Sequence, residues 1–311
     1  MYVEQSSLYS LLFDIFKNFN SLNTSRLTIT FVSTINYTIM RKLFFSASIA
    51  AVMLFTSCSS DSHTEAPITG EGEIELFFDH SINGDNLLLN ASQHTNSNGE
   101  TLMVSRLSYI VSNIVLFKED GTTYSVPRES SFFVVTEENG RNTISLANVP
   151  AANYTGIRFG VGVDQERFIE GQAAQQDFWD LAATLNMTWS WSVGYKFINF
   201  EGTFTTAEHP TPRVFRVHMG SHGTNLDNYR EVTINFPQTA RVRTNSTPNV
   251  HFVVDANVIL DGETKIRLSE HVNANNQVNI MVNALRAPQI ANNAQAAMFT
   301  VDHIHNSGHS H

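Results

Sequence analysis

Histidine is the residue type whose number and spacing in this sequence point to chemistry. The chain contains 12 histidines but a single cysteine, so neither an intramolecular disulfide nor a cysteine-based zinc site is available to it. A neutral imidazole is a good ligand for copper, zinc or nickel. The sharpest histidine cluster lies near the C-terminus, within residues 301–305.

In that cluster His303 and His305 follow Phe299 and Val301 at intervals of two residues. If this segment is a strand, all four side chains point to one face. The two imidazoles then lie about 7 Å apart at Cα, because each residue advances a strand by about 3.3 Å. Such a pair supplies two ligands to one metal ion. A solvated histidine-rich tail is the alternative, and spacing alone does not separate the two.

Two more histidines lie on segments with strand-like alternation. His80 ends the apolar face of residues 74–78, a position typical of a hydrogen-bonded core residue as well as of a ligand. His218 lies on the polar face of its segment and is either a ligand or a solvated residue. The remaining histidines, His251 among them, carry no informative pattern.

Tryptophan is the second unusual feature. Met187, Trp189 and Trp191 alternate within residues 187–197 and share one face if this segment is extended. Two indoles on one face are typical of a buried core or of a stacking platform for a sugar. Composition alone favours the core.

The sequence contains no HExxH, no GxSxG and no phosphate-binding glycine loop. No acid/base constellation accompanies the histidines, so we expect a binding protein rather than an enzyme. Acidic residues outnumber basic ones by 29 to 19. This balance argues against nucleic acid as a partner and is compatible with cations.

The elements that must position these residues are predicted to be strands. Apolar and polar residues alternate in many short segments after residue 73, separated by turn signals such as Asp261-Gly262. This pattern predicts an all-β fold, an antiparallel β-sandwich. Residues 172–183 and 288–297 have helical pattern and predict one or two short helices. The predicted strands are residues 73–80, 108–117, 132–135, 154–163, 214–219, 232–236, 252–259 and 278–282.

The N-terminal region has the form of a bacterial export signal. Met40 is followed by Arg41, Lys42 and an apolar run up to Phe55, which is too short to span a bilayer. Two small residues then precede Cys58, and the arrangement resembles a lipobox with Phe55 where leucine is usual. It implies cleavage before Cys58 and lipidation of the thiol. An ordinary signal peptide with an incidental cysteine is the alternative.

These observations divide the chain and place it in the cell envelope. We expect a lipoprotein anchored to the membrane through Cys58, on the periplasmic or the surface face. The predicted organisation is a non-native upstream extension (1–39), a lipoprotein signal peptide (40–57), a lipidated tether (58–72), the folded domain (73–305) and a frayed tail (306–311).

A longer motif connects the tryptophans with His218. The pattern M-x-W-x-W-x-x-G-Y-K-F at residues 187–197, followed by V-H-M-G-S at residues 217–221, resembles the MbnP family, periplasmic copper-binding partners of methanobactin systems. The resemblance extends over about residues 74–305. It implies a β-sandwich that holds copper through histidines, and in characterised relatives a tryptophan is oxidised to kynurenine by a di-haem partner enzyme.

Carried over to this sequence, the resemblance implies that Trp189 or Trp191 is the modified residue and that His218 is a copper ligand. His80, His303 and His305 gain less support from it. Where many relatives continue His-x-Gly-Ser-Thr-Gly-Cys, residues 218–224 read His-Met-Gly-Ser-His-Gly-Thr, so that cysteine is missing. The Asn-His pair that relatives have after the position of Asp164 is also missing.

The sequence therefore predicts an extracytoplasmic copper-binding lipoprotein. Its four predicted ligands, which would converge on one copper ion, are His80, His218, His303 and His305. The rival hypothesis is a surface adhesion or glycan-binding lipoprotein in which Trp189 and Trp191 form the platform. Converging histidines would favour the first hypothesis, and tryptophans exposed in a groove would favour the second.

Overall fold

The computed structural model describes residues 68–307 apart from residue 282. The predicted upstream extension, the signal peptide, Cys58 and most of the tether lie outside the described residues. Within the described part, no helix is long and apolar enough to cross a bilayer.

Strands are the main type of secondary structure in this part of the chain. In chain order they are β1 (Glu71–Ile82), β2 (Asp85–Asn86), β3 (His94–Thr95), β4 (Thr101–Lys118), β5 (Thr123–Ser125), β6 (Phe132–Thr136), β7 (Thr143–Pro150), β8 (Ala152–Val161), β9 (Ile198–Thr205), β10 (Arg213–Met219), β11 (Arg230–Val242), β12 (Asn249–Asp255), β13 (Val278–Met281) and β14 (Phe299–His305).

The helices are short. They are α1 (Gln165–Ile169), α2 (Gln176–Thr184), α3 (Val258–Asp261) and α4 (Arg286–Asn293). A π-helical turn, Ala294–Met298, follows α4. Three 3₁₀ turns complete the set: Arg128–Ser130, Gln172–Gln175 and Leu268–His271. The two predicted helical segments thus correspond to α2 with the 3₁₀ turn before it and to α4 with the π-helical turn after it.

The strands form two sheets. The five-stranded sheet has the order β14-β12-β1-β2, with β7 also paired with β1. The nine-stranded sheet has the order β11-β8-β4-β9-β10-β13, and β3, β5 and β6 also pair with β4. The prediction of an all-β sandwich with few short helices is confirmed. Two pairs, β1 with β12 and β10 with β13, are parallel, so both sheets are mixed.

Aromatic rings fill the space between the sheets. Phe78 of β1 stacks on Phe252 of β12 with 4.8 Å between ring centroids and meets Tyr109 of β4 edge-on at 6.1 Å. Phe299 of β14 meets Phe159 of β8 at 5.2 Å. These five side chains are at most 5% exposed, and we call them the aromatic layer. Because it joins strands of both sheets, it fixes which face of each strand points inward.

A β-bulge interrupts the alternation of β14. Phe252 pairs with Val301, whereas His251, the residue before Phe252, pairs with His303. Asp302 is therefore an extra residue with no partner position on β12, which is the defining property of a bulge.

The bulge corrects one prediction. Phe299 and Val301 pack toward the interior, but His303 and His305 lie on the opposite, outer face of the sheet. The prediction that all four share a face is wrong, because the extra residue shifts the alternation by one position. The two histidines still share a face with each other.

The boundaries of the fold differ slightly from the predicted ones. The first strand begins at Glu71, inside the predicted tether. Asn306, assigned to a frayed tail, accepts a hydrogen bond from the Arg241 amide at 2.6 Å and donates to the Thr239 carbonyl at 2.9 Å. Residues 308–311 lie outside the described residues.

Replacing Phe78 by alanine tests the aromatic layer. We expect Phe78→Ala to lower the free energy of unfolding by about 3–5 kcal/mol, because the change leaves a cavity between two sheets that cannot collapse onto each other. The neighbouring outward-facing Asp79 provides the control, and Asp79→Asn should change the free energy of unfolding by less than about 0.5 kcal/mol. Urea denaturation followed by far-ultraviolet circular dichroism measures both. Equal effects of the two substitutions would contradict the role given to the layer.

Candidate metal sites

His80 lies on the inner face of β1 and is 2% exposed. Its Nδ1 is 2.8 Å from Oε2 of Glu137, and its Nε2 is 2.9 Å from the hydroxyl of Tyr109. Burial raises the pKa of Tyr109 well above its ordinary value, so this hydroxyl keeps the proton that it donates. With Nε2 accepting from this hydroxyl, the ring donates from Nδ1 to the carboxylate. Both nitrogens of His80 are engaged, which is how a buried polar ring is stabilised.

His218 lies on the face of the nine-stranded sheet that points away from the sandwich interior. Its strand neighbours Val217 and Met219 are buried on the other face. Nε2 of His218 is 2.7 Å from Oε1 of Glu201 on β9. Nδ1 is buried and has no hydrogen-bond partner among the described residues.

The electrostatics of this pair favour a neutral imidazole. Burial lowers the pKa of His218, and the hydrogen bond from His218 lowers the pKa of Glu201. The carboxylate is therefore charged and accepts the Nε2 proton. The lone pair of the His218 ring is left on Nδ1, the buried atom without a partner.

Other buried hydrogen-bond acceptors lie in a row that runs from His218 across the sheet. His218 pairs with Asn199, Asn199 with Ser108, and Ser108 with Thr136. Oδ1 of Asn199 and Oγ1 of Thr136 also lack hydrogen-bond partners among the described residues. Most buried acceptors in folded proteins have a hydrogen-bond partner, so these three atoms mark a polar strip under the loop that carries Trp189.

Trp189 covers this region. Its ring centroid is 6.3 Å from that of His218. The chain reverses around it: Thr188 bridges to Tyr195, and the amide of Trp189 donates to the carbonyl of Gly194 at 3.0 Å. Gly194 supports the reversal with a φ of 101°, a conformation that glycine adopts readily.

Trp191 lies in different surroundings. It stacks on Phe168 with 5.1 Å between centroids and meets Trp179 edge-on at 5.1 Å. The prediction that Trp189 and Trp191 share one face is wrong, because residues 187–197 form a tight reversal instead of an extended strand. The two indoles have different neighbours.

Gly220 of the motif explains how the reversal packs on the sheet. A Cβ at this position would lie 2.2 Å from the carbonyl oxygen of Tyr195 and 3.0 Å from the ring of Trp189. Only glycine allows the loop and β10 to approach so closely. The motif residues around 187–197 and 217–221 are thus in direct contact.

A second group of histidines lies on the outer face of the five-stranded sheet. The rings of His251 and His303 are 4.5 Å apart between centroids, and those of His303 and His305 are 4.6 Å apart. Nε2 of His303 is 3.0 Å from Nε2 of His305, and Nδ1 of His303 is 2.7 Å from Oδ2 of Asp302. Donor atoms of His251, Asp302 and His303 lie within 4.8 Å of one another. We call His251, Asp302, His303 and His305 the outer-face cluster.

The structure does not bring the four predicted ligands together. His80 is on the inner face of the five-stranded sheet, His303 and His305 are on its outer face, and His218 is on the outer face of the other sheet. Only His303 and His305 meet. No local pattern singles out His251, because its contact with His303 depends on the pairing of β12 with β14.

Comparison with known proteins places the chain in a family. No curated protein matches it. A solved structure, MbnP from Methylosinus trichosporium, is similar at 15% identity with a TM-score of 0.41, and the match covers 61% of this chain and 78% of that one. A sequence model of the MbnP family matches residues 71–282, more than half of the chain. The match ends before β14, but it includes the strands and loop that surround His218, and the chain belongs to the MbnP family.

Proposed function

We propose that this protein is an extracytoplasmic lipoprotein that captures or holds copper, and that His218 is its principal ligand. The chain belongs to the MbnP family, and resemblance to that family implies copper binding, which supports the proposal. The observation that carries it is the position of Nδ1 of His218 beside Trp189. This atom is buried, and its lone pair has no hydrogen-bond partner among the described residues. We further propose that copper is held without turnover of a substrate.

The residues around His218 fit a copper ion. Met281 of β13 is the register partner of His218 on the parallel neighbouring strand, so the two side chains lie on the same face. A thioether is a soft ligand and, with imidazole, selects Cu(I) over harder ions. The electron-rich face of Trp189 attracts a cation placed near it. Bound copper would supply a soft cation able to exchange one electron.

Glu201 acts through His218. A carboxylate that accepts the proton of one ring nitrogen fixes the orientation of the ring and raises the basicity of the other nitrogen. The 2.7 Å contact between Glu201 and His218 has this form. Lys196 secures the loop above the site, because its Nζ donates to the carbonyl oxygen and to Oδ1 of Asn186 at 2.8 and 2.9 Å.

The geometry gives less support to a glycan-binding platform. A sugar-binding platform needs an indole face that is open to solvent. One face of Trp191 is stacked on Phe168, and Trp189 packs against His218 and Gly220.

The copper proposal is tested by removing the ligand. We expect His218→Gln to lower Cu(I) affinity by at least about tenfold, since loss of a single ligand or of its supporting hydrogen bond has effects of this size. His209→Gln changes an exposed histidine in a loop and should have no effect. Competition with a chromophoric Cu(I) chelator measures both affinities. Unchanged affinity in a folded His218→Gln protein would refute the assignment.

Trp189 is our candidate for oxidation to kynurenine by a di-haem partner enzyme. It lies beside His218, whereas Trp191 packs against two other aromatic rings. Co-expression with a cognate di-haem enzyme should add mass to the peptide that contains Trp189 and produce near-visible absorbance. Tandem mass spectrometry locates the change, and Trp191→Phe should leave it in place. Modification that disappears with Trp191→Phe but persists in Trp189→Phe would overturn the choice.

Lipidation of Cys58 is the remaining part of the proposal. It rests on the charged segment, short apolar run and small residues before the thiol. Cells fed an alkyne fatty acid should label the wild-type protein, and Cys58→Ala should abolish the label. Ser59→Ala, which changes the next residue, provides the control. Label that persists in Cys58→Ala would exclude this thiol as the anchor.

A further inference from the structure

We infer that the outer-face cluster is a second metal site, distinct from His218, which binds a divalent transition-metal ion with preference for Cu(II) over Zn(II). Its proposed ligands are the Nε2 atoms of His303 and His305, with Asp302 as the carboxylate partner of His303 and His251 as the ring packed against it. The site lies on β12 and β14, and β14 lies outside the residues matched by the family model.

The distance between two ring nitrogens carries the inference. Two imidazole nitrogens that bind one ion at about 2.0–2.1 Å each are about 3 Å apart. Nε2 of His303 and Nε2 of His305 are 3.0 Å apart. An ion can therefore replace the hydrogen bond between the two rings without moving the backbone of β14.

Asp302 holds the ring of His303 in the orientation that a metal requires. Its Oδ2 is 2.7 Å from Nδ1 of His303, and a ring that donates from Nδ1 to this carboxylate offers the lone pair of Nε2 to an ion. This is the carboxylate–histidine arrangement common to metal sites. The bulge creates it, because the extra residue places the Asp302 carboxylate next to the outward-facing ring.

His251 is held on the other side of His303 by a stack of rings. Phe77 of β1 lies against His251 with 4.9 Å between centroids and an interplanar angle of 14°. Phe77, His251 and His303 occupy paired positions on three adjacent strands. The stack holds the His303 ring from one side, and a ligand on a paired strand needs less ordering than a ligand on a loop when the ion binds.

The surroundings determine which ion is favoured. The His303 side chain is 38% exposed, so a hydrated ion has direct access. Glu75 and Asp79 lie on the outer face of β1 and add negative charge near the site. Imidazole and carboxylate ligands suit divalent ions, and among the first-row series Cu(II) binds such ligands most tightly.

The inference is tested by titrating the untagged full chain with Cu(II). The double variant His303→Gln/His305→Gln should lose a Cu(II) signal with nitrogen hyperfine structure in electron paramagnetic resonance spectra. It should also bind one copper fewer in native mass spectrometry. His309→Gln/His311→Gln removes two histidines with the same spacing farther along the chain and should retain both. Asp302→Asn should weaken Cu(II) binding about 10- to 100-fold.

The outcomes separate this site from the one at His218. His218→Gln should leave the Cu(II) spectrum of the outer-face cluster unchanged, and the His303/His305 variant should leave Cu(I) affinity unchanged. The inference fails if the folded His303/His305 variant keeps the Cu(II) signal, or if the signal disappears instead with His309 and His311. It also fails if wild-type protein binds no Cu(II), which would make the cluster a hydrogen-bonded group of rings only.

Discussion

The packing of aromatic rings between the two sheets is the constraint on which the rest of this structure depends. Phe78, Phe252 and Phe299 from one sheet meet Tyr109 and Phe159 from the other, with little space left for solvent. A polar ring is stable inside such a core only when its nitrogens are hydrogen-bonded. His80 satisfies this requirement through Tyr109 and Glu137. His218, His251, His303 and His305 lie on the outer faces of the sheets, outside this core.

Local pattern predicts the parts of this fold that local chemistry determines. The alternation in β1 follows from apolar residues at every second position. α4 overlaps the helical segment that was predicted to begin at Pro288. The partners of each strand depend on segments far away in sequence: Asn83 and Asp255, for example, are hydrogen-bonded across 172 residues. His251 became a candidate only through such pairing. One extra residue, Asp302, was enough to reverse which side chains of β14 face the core.

The aromatic motif shows a different limit of sequence reasoning. The alternation of Met187, Trp189 and Trp191 has the period of a strand, but Gly194 allows the chain to turn back, and the bridge from Thr188 to Tyr195 closes the turn. The resemblance to a family correctly connected this motif with residues 217–221, because the contact between Trp189 and Gly220 is part of the fold. The resemblance could not predict that the two tryptophans have different neighbours.

The position of β14 also has a consequence for how the chain folds. β12 lies between β1, from the beginning of the described fold, and β14, from its end. Until β14 is present, one side of β12 has unpaired backbone amides and carbonyls, and the core lacks Phe299 and Ile304. An exposed strand edge of this kind promotes aggregation, and contacts over such long sequence separations form slowly. A chain emerging residue by residue from a ribosome therefore cannot close its sandwich until residues 299–305 have emerged.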